Sequence, residues 1–189
     1  PRRSSDLTCL GYAQGQPLGS YHFPVTKAAR DWVGRALGSV GLQDGSFHLE
    51  AIESDGELVF LEAGNRVGGA DLVATFELAT GIHLPSQELR ILLGDDVPAI
   101  EVNPTSTSLW HGWFVVPGHH LGGAHGGVDG IAFFRRSAAV LRWNELETGA
   151  PLPGTITYQA HEVPLAGIIA TASAEETHRW LASLFAAVS

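Results

Sequence analysis

Residues 46–71 (SFHLEAIESDGELVFLEAGNRVGGAD) constrain the fold more than any other stretch of this chain. Residues 46–53 alternate, with Phe47, Leu49 and Ala51 on one face and His48, Glu50 and Ile52 on the other, the period of a strand. Residues 58–63 read as a second short strand, and Asp55-Gly56 between them is a strong hairpin signal. A glycine-rich loop and a helix follow. Within this unit a carboxylate sits mid-strand among apolar residues twice, at Glu50 and at Glu62, where propensity disfavours it.

Two readings of those carboxylates stay open. They can lie on a solvent-facing cross-strand position, where a Glu costs little. They can also form a site for a hard divalent cation, because Mg²⁺ takes one or two carboxylates and fills its other positions with water and phosphate oxygens. Register separates the two. A three-residue loop, 55–57, sets Glu50 opposite Glu62 with both side chains on one face. A plain two- or four-residue loop would put them on opposite faces. The cation reading therefore requires the odd loop, or a bulge.

Four residues beyond Glu62 comes Arg66, whose planar fork suits a carboxylate or phosphate. Gly68 and Gly69 then let backbone N–H groups approach an anion at a helix start. Taken together, His48-x-Glu50, the run Leu61-Glu62-Ala63-Gly64-Asn65-Arg66 and the pair Gly68-Gly69 resemble the metal-binding core of ATP-grasp enzymes. The nearest likeness is to the carboxylate–amine ligases that join amino acids. That resemblance implies ATP and Mg²⁺ as cofactors, with Glu50 and Glu62 as ligands to the Mg²⁺ ions that bridge the ATP phosphates. It implies Arg66 as the clamp for the substrate carboxylate or acyl phosphate, and Gly68-Gly69 beside substrate and phosphate. His48 would be a neighbour of the metal ligands or a proton carrier, with a structural imidazole as the alternative. Many members carry E-x-N-x-R; here Gly64 takes the Asn place, and Asn65, one residue later, is the further candidate ligand.

Composition limits the other options. The 189 residues make one sizeable domain or two small ones, and 44% hydrophobic residues suit a globular protein with a core. No apolar run approaches a membrane span. The single Cys9 excludes an internal disulfide and fits a reducing, cytoplasmic setting. A net charge of −9 argues against nucleic acid as partner. There is no Met and only one lysine, Lys27, in a helical stretch. ATP-grasp enzymes hold the α- and β-phosphates with lysines from an earlier subdomain, so the resemblance makes the missing N-terminal half of the same enzyme a partner. The remaining partners it implies are small carboxylate and amine substrates, amino acids or short peptides. Oligomeric state is open, a homodimer included.

Along the rest of the chain, residues 7–13 read as a strand. Ala29, Trp32, Val33, Ala36, Leu37 and Val40 recur at helical spacing over 25–40, with Thr26 as cap and Gly41 as stop. Trp32 is expected in the core, and Lys27, Arg30 and Arg35 on a solvated face. Residues 71–80 form a helix with Asp71 in its first turn, where it complements the dipole. Ser86 caps a third helix to Leu93. Residues 95–104 link to a strand-rich lobe, with strands at 112–117, 130–134, 138–143, 155–160 and 165–172. The histidine- and glycine-rich tract 118–127 is expected to be mobile. Arg135 and Arg136 are expected in surface ion pairs. Ser173-x-x-Glu176 is a capping box that opens a last helix to about residue 187.

The fold class expected is α+β: a mostly antiparallel sheet with flanking helices, residues 1–94 forming the C-terminal subdomain of an ATP-grasp module and 95–189 a strand-rich lobe closed by a helix. The function expected is an ATP-dependent carboxylate–amine ligase acting through an acyl phosphate, present as a C-terminal fragment. The alternative is a non-catalytic ATP-grasp-derived module or one subunit of a split enzyme. A biotin-carboxylase-like carboxylation is a third reading, disfavoured because that family carries E-x-N-x-R.

Overall fold

In the computed structural model, residues 11–22, 25–42, 45–95, 97 and 109–188 are described. The apolar runs at 110–116 and 165–171 are the reason for the central layer. They form β4 (Trp110–Val116) and β6 (Leu165–Thr171), paired antiparallel in the middle of a four-stranded sheet. β1 (Leu18–Tyr21) flanks β4 and β5 (Val140–Glu145) flanks β6, so the order is β1-β4-β6-β5. All three pairings are antiparallel.

Alternation along β4 and β6 divides the core between two faces. Phe114, Val116, Leu165 and Ile169 point to one side, where Leu181 and Leu184 of the C-terminal helix α5 (Ala174–Val188) cover them. Trp113, Val115, Ala166 and Ile168 point to the other, against Tyr12, Val163 and Ala74. Because both faces are covered, these strands are continuous apolar runs rather than alternating ones. A methyl group on Gly167 would run into the Arg142 carbonyl and the Phe114 ring, so only glycine fits there. Ser173 Oγ accepts from the Glu176 N–H at 3.1 Å, and the Glu176 carboxylate reaches back to the Ala172 N–H at 3.1 Å. The expected box thus opens α5, with its return bond displaced by one residue.

Between β1 and β4 the chain makes α1 (Lys27–Ser39), the hairpin β2 (His48–Ser54) and β3 (Glu57–Gly64), then α2 (Leu72–Thr80) and α3 (Leu84–Leu92). Thr26 caps α1 by accepting from the Ala29 N–H at 3.1 Å. α1 buries no residue completely. Trp32 is therefore half-buried rather than core, in a shallow groove with Ala36, Val40 and Phe60, because a two-stranded hairpin offers little surface to cover it. Lys27 pairs with Asp31 in solvent at 2.6 Å.

Several expectations need correction. Residues 11–13 are helical, not strand, and 7–10 lie outside the described residues. Tyr12 is wholly buried there, donates to the Thr157 carbonyl at 2.6 Å and stacks on Tyr158, so burial selects a helical turn that an apolar heptad cannot distinguish from a strand. Residues 132–135 form the short α4 (Ala132–Arg135) instead of a strand, with Ile131 buried and Phe133 exposed. Residues 155–160 belong to no strand; Ile156 and Tyr158 are exposed. The third helix is preceded by His83, and Ser86 sits inside its first turn, within 2.7 Å of the His83 ring. Most of the expected linker, 96 and 98–104, lies outside the described residues. The tract 118–127 is anchored at its far end. The His125 N–H donates to Ala150 O and the Gly149 N–H to His125 O, both at 2.7 Å, and His125 is buried. Arg135 does form an ion pair, with Glu145.

The sheet takes strands from both sides of residue 94, since β1 pairs with β4. That boundary does not separate two sheets. At the β1–β4 margin His111 is buried and stacked on His22, and burial, then the neighbouring His22, holds its imidazole below the ordinary histidine range.

Candidate functional site

The hairpin turn is the two-residue kind. Ser54 pairs with Glu57, and Asp55 and Gly56 both take positive φ, 53° and 85°, as a type I′ turn requires. Two-residue closure alone would set Glu50 opposite Leu61. A bulge between Glu50 and Ala51 in the pairing absorbs Leu61, so Ala51 pairs with Phe60 and Glu50 with Glu62. The register thus meets the requirement of an odd loop or a bulge by the second route. Directly opposed residues of an antiparallel pair share a face, which places both carboxylates on the side of His48. The His48 Nε2 lies 3.2 Å from Glu50 Oε1, with the two side chains 19% and 37% exposed. Glu62 is exposed. Neither acid is sealed in the interior.

The glycine loop passes beside this pair. Gly68 is pressed against His48: a Cβ there would stand 3.2 Å from His48 Nδ1 and 2.9 Å from Leu72 Cδ2. Gly69 is open, with nothing within 4 Å of its missing Cβ. Arg66 is exposed and donates from Nη1 to the Val67 carbonyl at 3.0 Å. Asn65 is turned toward Gly45, with its Oδ1 2.9 Å from where a Gly45 Cβ would be. On the far side, α3 is fastened to the approach of β2 by a short hydrogen bond from Ser46 Oγ to Glu88.

Asp71 stands just before α2 rather than in its first turn, and makes no side-chain cap. Its carboxylate pairs instead with Arg142 of β5. Sequence reasoning missed Arg142. The one signal was a guanidinium inside the apolar run 138–143, and nothing local names its partner.

Among the described residues, no three His, Cys, Asp or Glu side chains gather as a metal cage. Two adjacent carboxylates suit a cation that completes its shell with water and phosphate oxygens, as Mg²⁺ does. The donor chemistry fits that ion and not a closed zinc site. No helix among the described residues is long and apolar enough to cross a membrane.

The fold is similar to that of ATP-grasp carboxylate–amine ligases. Over 92% of its length the chain matches the crystal structure of L-amino acid ligase from Bacillus licheniformis, with a TM-score of 0.64 at 19% identity. Over 90% of its length it matches phosphoribosylglycinamide synthetase from Anaerococcus prevotii, with a TM-score of 0.59 at 13% identity. It spans 43% and 44% of those chains, less than half of either. No protein-family model matches the sequence, and no curated protein matches it by sequence. The mixed architecture, a mainly antiparallel sheet with flanking helices, agrees with the fold class expected.

Proposed function

We propose that this chain carries the metal- and acyl-phosphate-binding part of an ATP-dependent ligase that joins a carboxylate to an amine. The observation that supports the reading most is the bulge that sets Glu50 opposite Glu62 on the His48 face. On this reading Glu50 and Glu62 would hold Mg²⁺, whose charge would offset that of the phosphate groups. Asn65 is the third ligand proposed. Arg66 orients the acceptor carboxylate and stabilises the acyl phosphate, and the N–H groups of Gly68 and Gly69 face its oxygens. His48, hydrogen-bonded to Glu50, fixes that carboxylate or carries a proton. ATP and the residues that cover it come from polypeptide beyond these 189 residues. In support, the chain spans under half of each similar ligase, and Lys27, its one lysine, is spent on Asp31 in α1.

The same lysine observation favours a second reading, a non-catalytic module or one subunit of a split enzyme. The two are separated by ADP release from Mg-ATP with amino acid substrates, measured on the chain joined to its nucleotide-covering part. The ligase reading expects turnover that Glu62→Ala abolishes. Turnover undiminished in that variant rejects the site, and no turnover at all in the joined protein leaves the non-catalytic module.

A further inference from the structure

One face of α2 presents Ala74, Glu77 and Leu78 to a groove of about 430 Å³ that runs beside the edge strand β5. Leu141 and Arg142 of β5 and Ile168 of β6 complete its lining. That volume lies within the roughly 300–1,000 Å³ of small-molecule sites. Neighbours along a strand ordinarily point to opposite faces, yet Leu141 and Arg142 share this groove. The cause is a second bulge. Val140 pairs with Ile169 and Arg142 with Ile168, so Leu141 is the extra residue, and its side chain is re-aimed. None of the residues proposed for metal or acyl phosphate lines the groove.

The charges along it are spaced for a small ligand that carries both signs. Arg142 is fixed near the start of α2, where its Nη2 engages Asp71 Oδ1. Its Nε is buried and has no hydrogen-bond acceptor among the described residues, a donor that an outside carboxylate can answer. Glu77 stands six residues along the helix from Asp71, ~9 Å by helical rise. It is exposed and forms no ion pair among the described residues. Helical side chains lean toward the N-terminus, so its carboxylate leans back toward the guanidinium and leaves a gap of a few ångströms. Beside that gap Leu78 and Leu141 offer apolar surface, 42% and 51% exposed.

We infer that this groove binds an α-amino acid with an apolar side chain, held as the zwitterion: the ligand carboxylate meets Arg142, its ammonium meets Glu77, and its side chain covers Leu78 and Leu141. An uncharged apolar molecule would leave both ionised groups unanswered, and a simple amine or carboxylate would answer only one. The inference goes beyond the ligase reading, because this binding requires neither Glu50, Glu62 nor nucleotide. The ligase reading supplies only a use for the bound amino acid.

The test is amide NMR of this chain at neutral pH, without Mg²⁺ or nucleotide, titrated with L-leucine. Parallel titrations use isoamylamine and isocaproate, which are leucine without its carboxylate and without its ammonium. Leucine should give saturable shifts at Ala74, Glu77, Leu78 and Leu141, with a dissociation constant on the order of 1 mM for so small a ligand in an open groove. Each analogue should bind about tenfold more weakly, the scale of one lost hydrogen-bonded charge. Glu77→Gln, at an exposed position, should weaken leucine about tenfold without weakening isocaproate. Arg142→Lys keeps a positive charge opposite Asp71 but loses the planar fork, and should weaken leucine and isocaproate alike. The inference is overturned if leucine gives no saturable shift at these residues, if either analogue matches it, or if Glu77→Gln binds leucine as tightly as wild type. The ligase reading stands through any of those results, since ADP release and Glu62→Ala decide it.

Discussion

Replacing Glu62 with Gln removes one of two carboxylates that face each other across β2 and β3, and the two readings of that pair predict different results. Like charges directly opposite on a sheet cost roughly 0.2–1 kcal/mol. Glu62 is exposed and Glu50 more than a third exposed, so solvent screening places the effect near the low end. Without Mg²⁺ the variant should be as stable as wild type or slightly better, with Tm raised by less than about 1 °C, given ~2–4 °C per kcal/mol for a chain of this size. With Mg²⁺ the order reverses. At ten times its dissociation constant a ligand specific to the folded state adds about 1.4 kcal/mol. Wild type should therefore gain roughly 3–6 °C, whereas Glu62→Gln, left with one carboxylate, should gain little. The assay is thermal unfolding in MgCl₂ against NaCl at matched ionic strength. Equal shifts in wild type and variant, or none in wild type, would refute the reasoning and leave a solvent-facing acidic pair.

Three further outcomes can be checked. Gly68→Ala forces its new methyl against Leu72 and His48, and should cost about 1–3 kcal/mol while displacing the His48 ring resonances, followed by denaturant unfolding and NMR. Phe114→Ala empties the wholly buried centre of the α5-facing core and should cost about 3–5 kcal/mol, lowering Tm by about 10 °C. His111 is held below its ordinary range by burial and by His22, so the unfolded chain binds the proton more tightly; its contribution to stability is complete above about pH 6.5 and is lost as pH falls below that value toward the folded pKa. His111→Gln should flatten that acid limb in urea melts taken between pH 5 and 7.

What was legible in the sequence had a local cause. Thr26, the Asp55-Gly56 turn and Ser173 act on their nearest neighbours, and the structure puts them where the letters place them. The opposition of Glu50 and Glu62 was conditional on an irregularity whose kind the letters did not specify: Leu61 looks like any strand residue, and only the finished register shows it is the extra one. The failures share a different cause. Tyr12 takes a helical turn because Thr157 and Tyr158 lie over it, and residues 155–160 miss the sheet because they serve that contact. Asp71 meets Arg142, a residue far along the chain. Such outcomes depend on partners far along the chain, to which periodicity and capping rules are blind.

The pairing of Tyr21 with Gly112 means that the chain leaves the sheet at the end of β1 and comes back to the adjoining rung on β4. Everything between, including both acids, the arginine and the glycine pair, is an excursion whose two feet stand one strand spacing apart, ~5 Å. It is anchored from the side as well, where Ala74 of α2 packs against the core, Thr75 and Ala79 are buried, and Asp71 pairs with Arg142. The four-stranded sheet is thus the footing of the hairpin, and a change confined to the tip of β2 and β3 stays remote from the strands beneath.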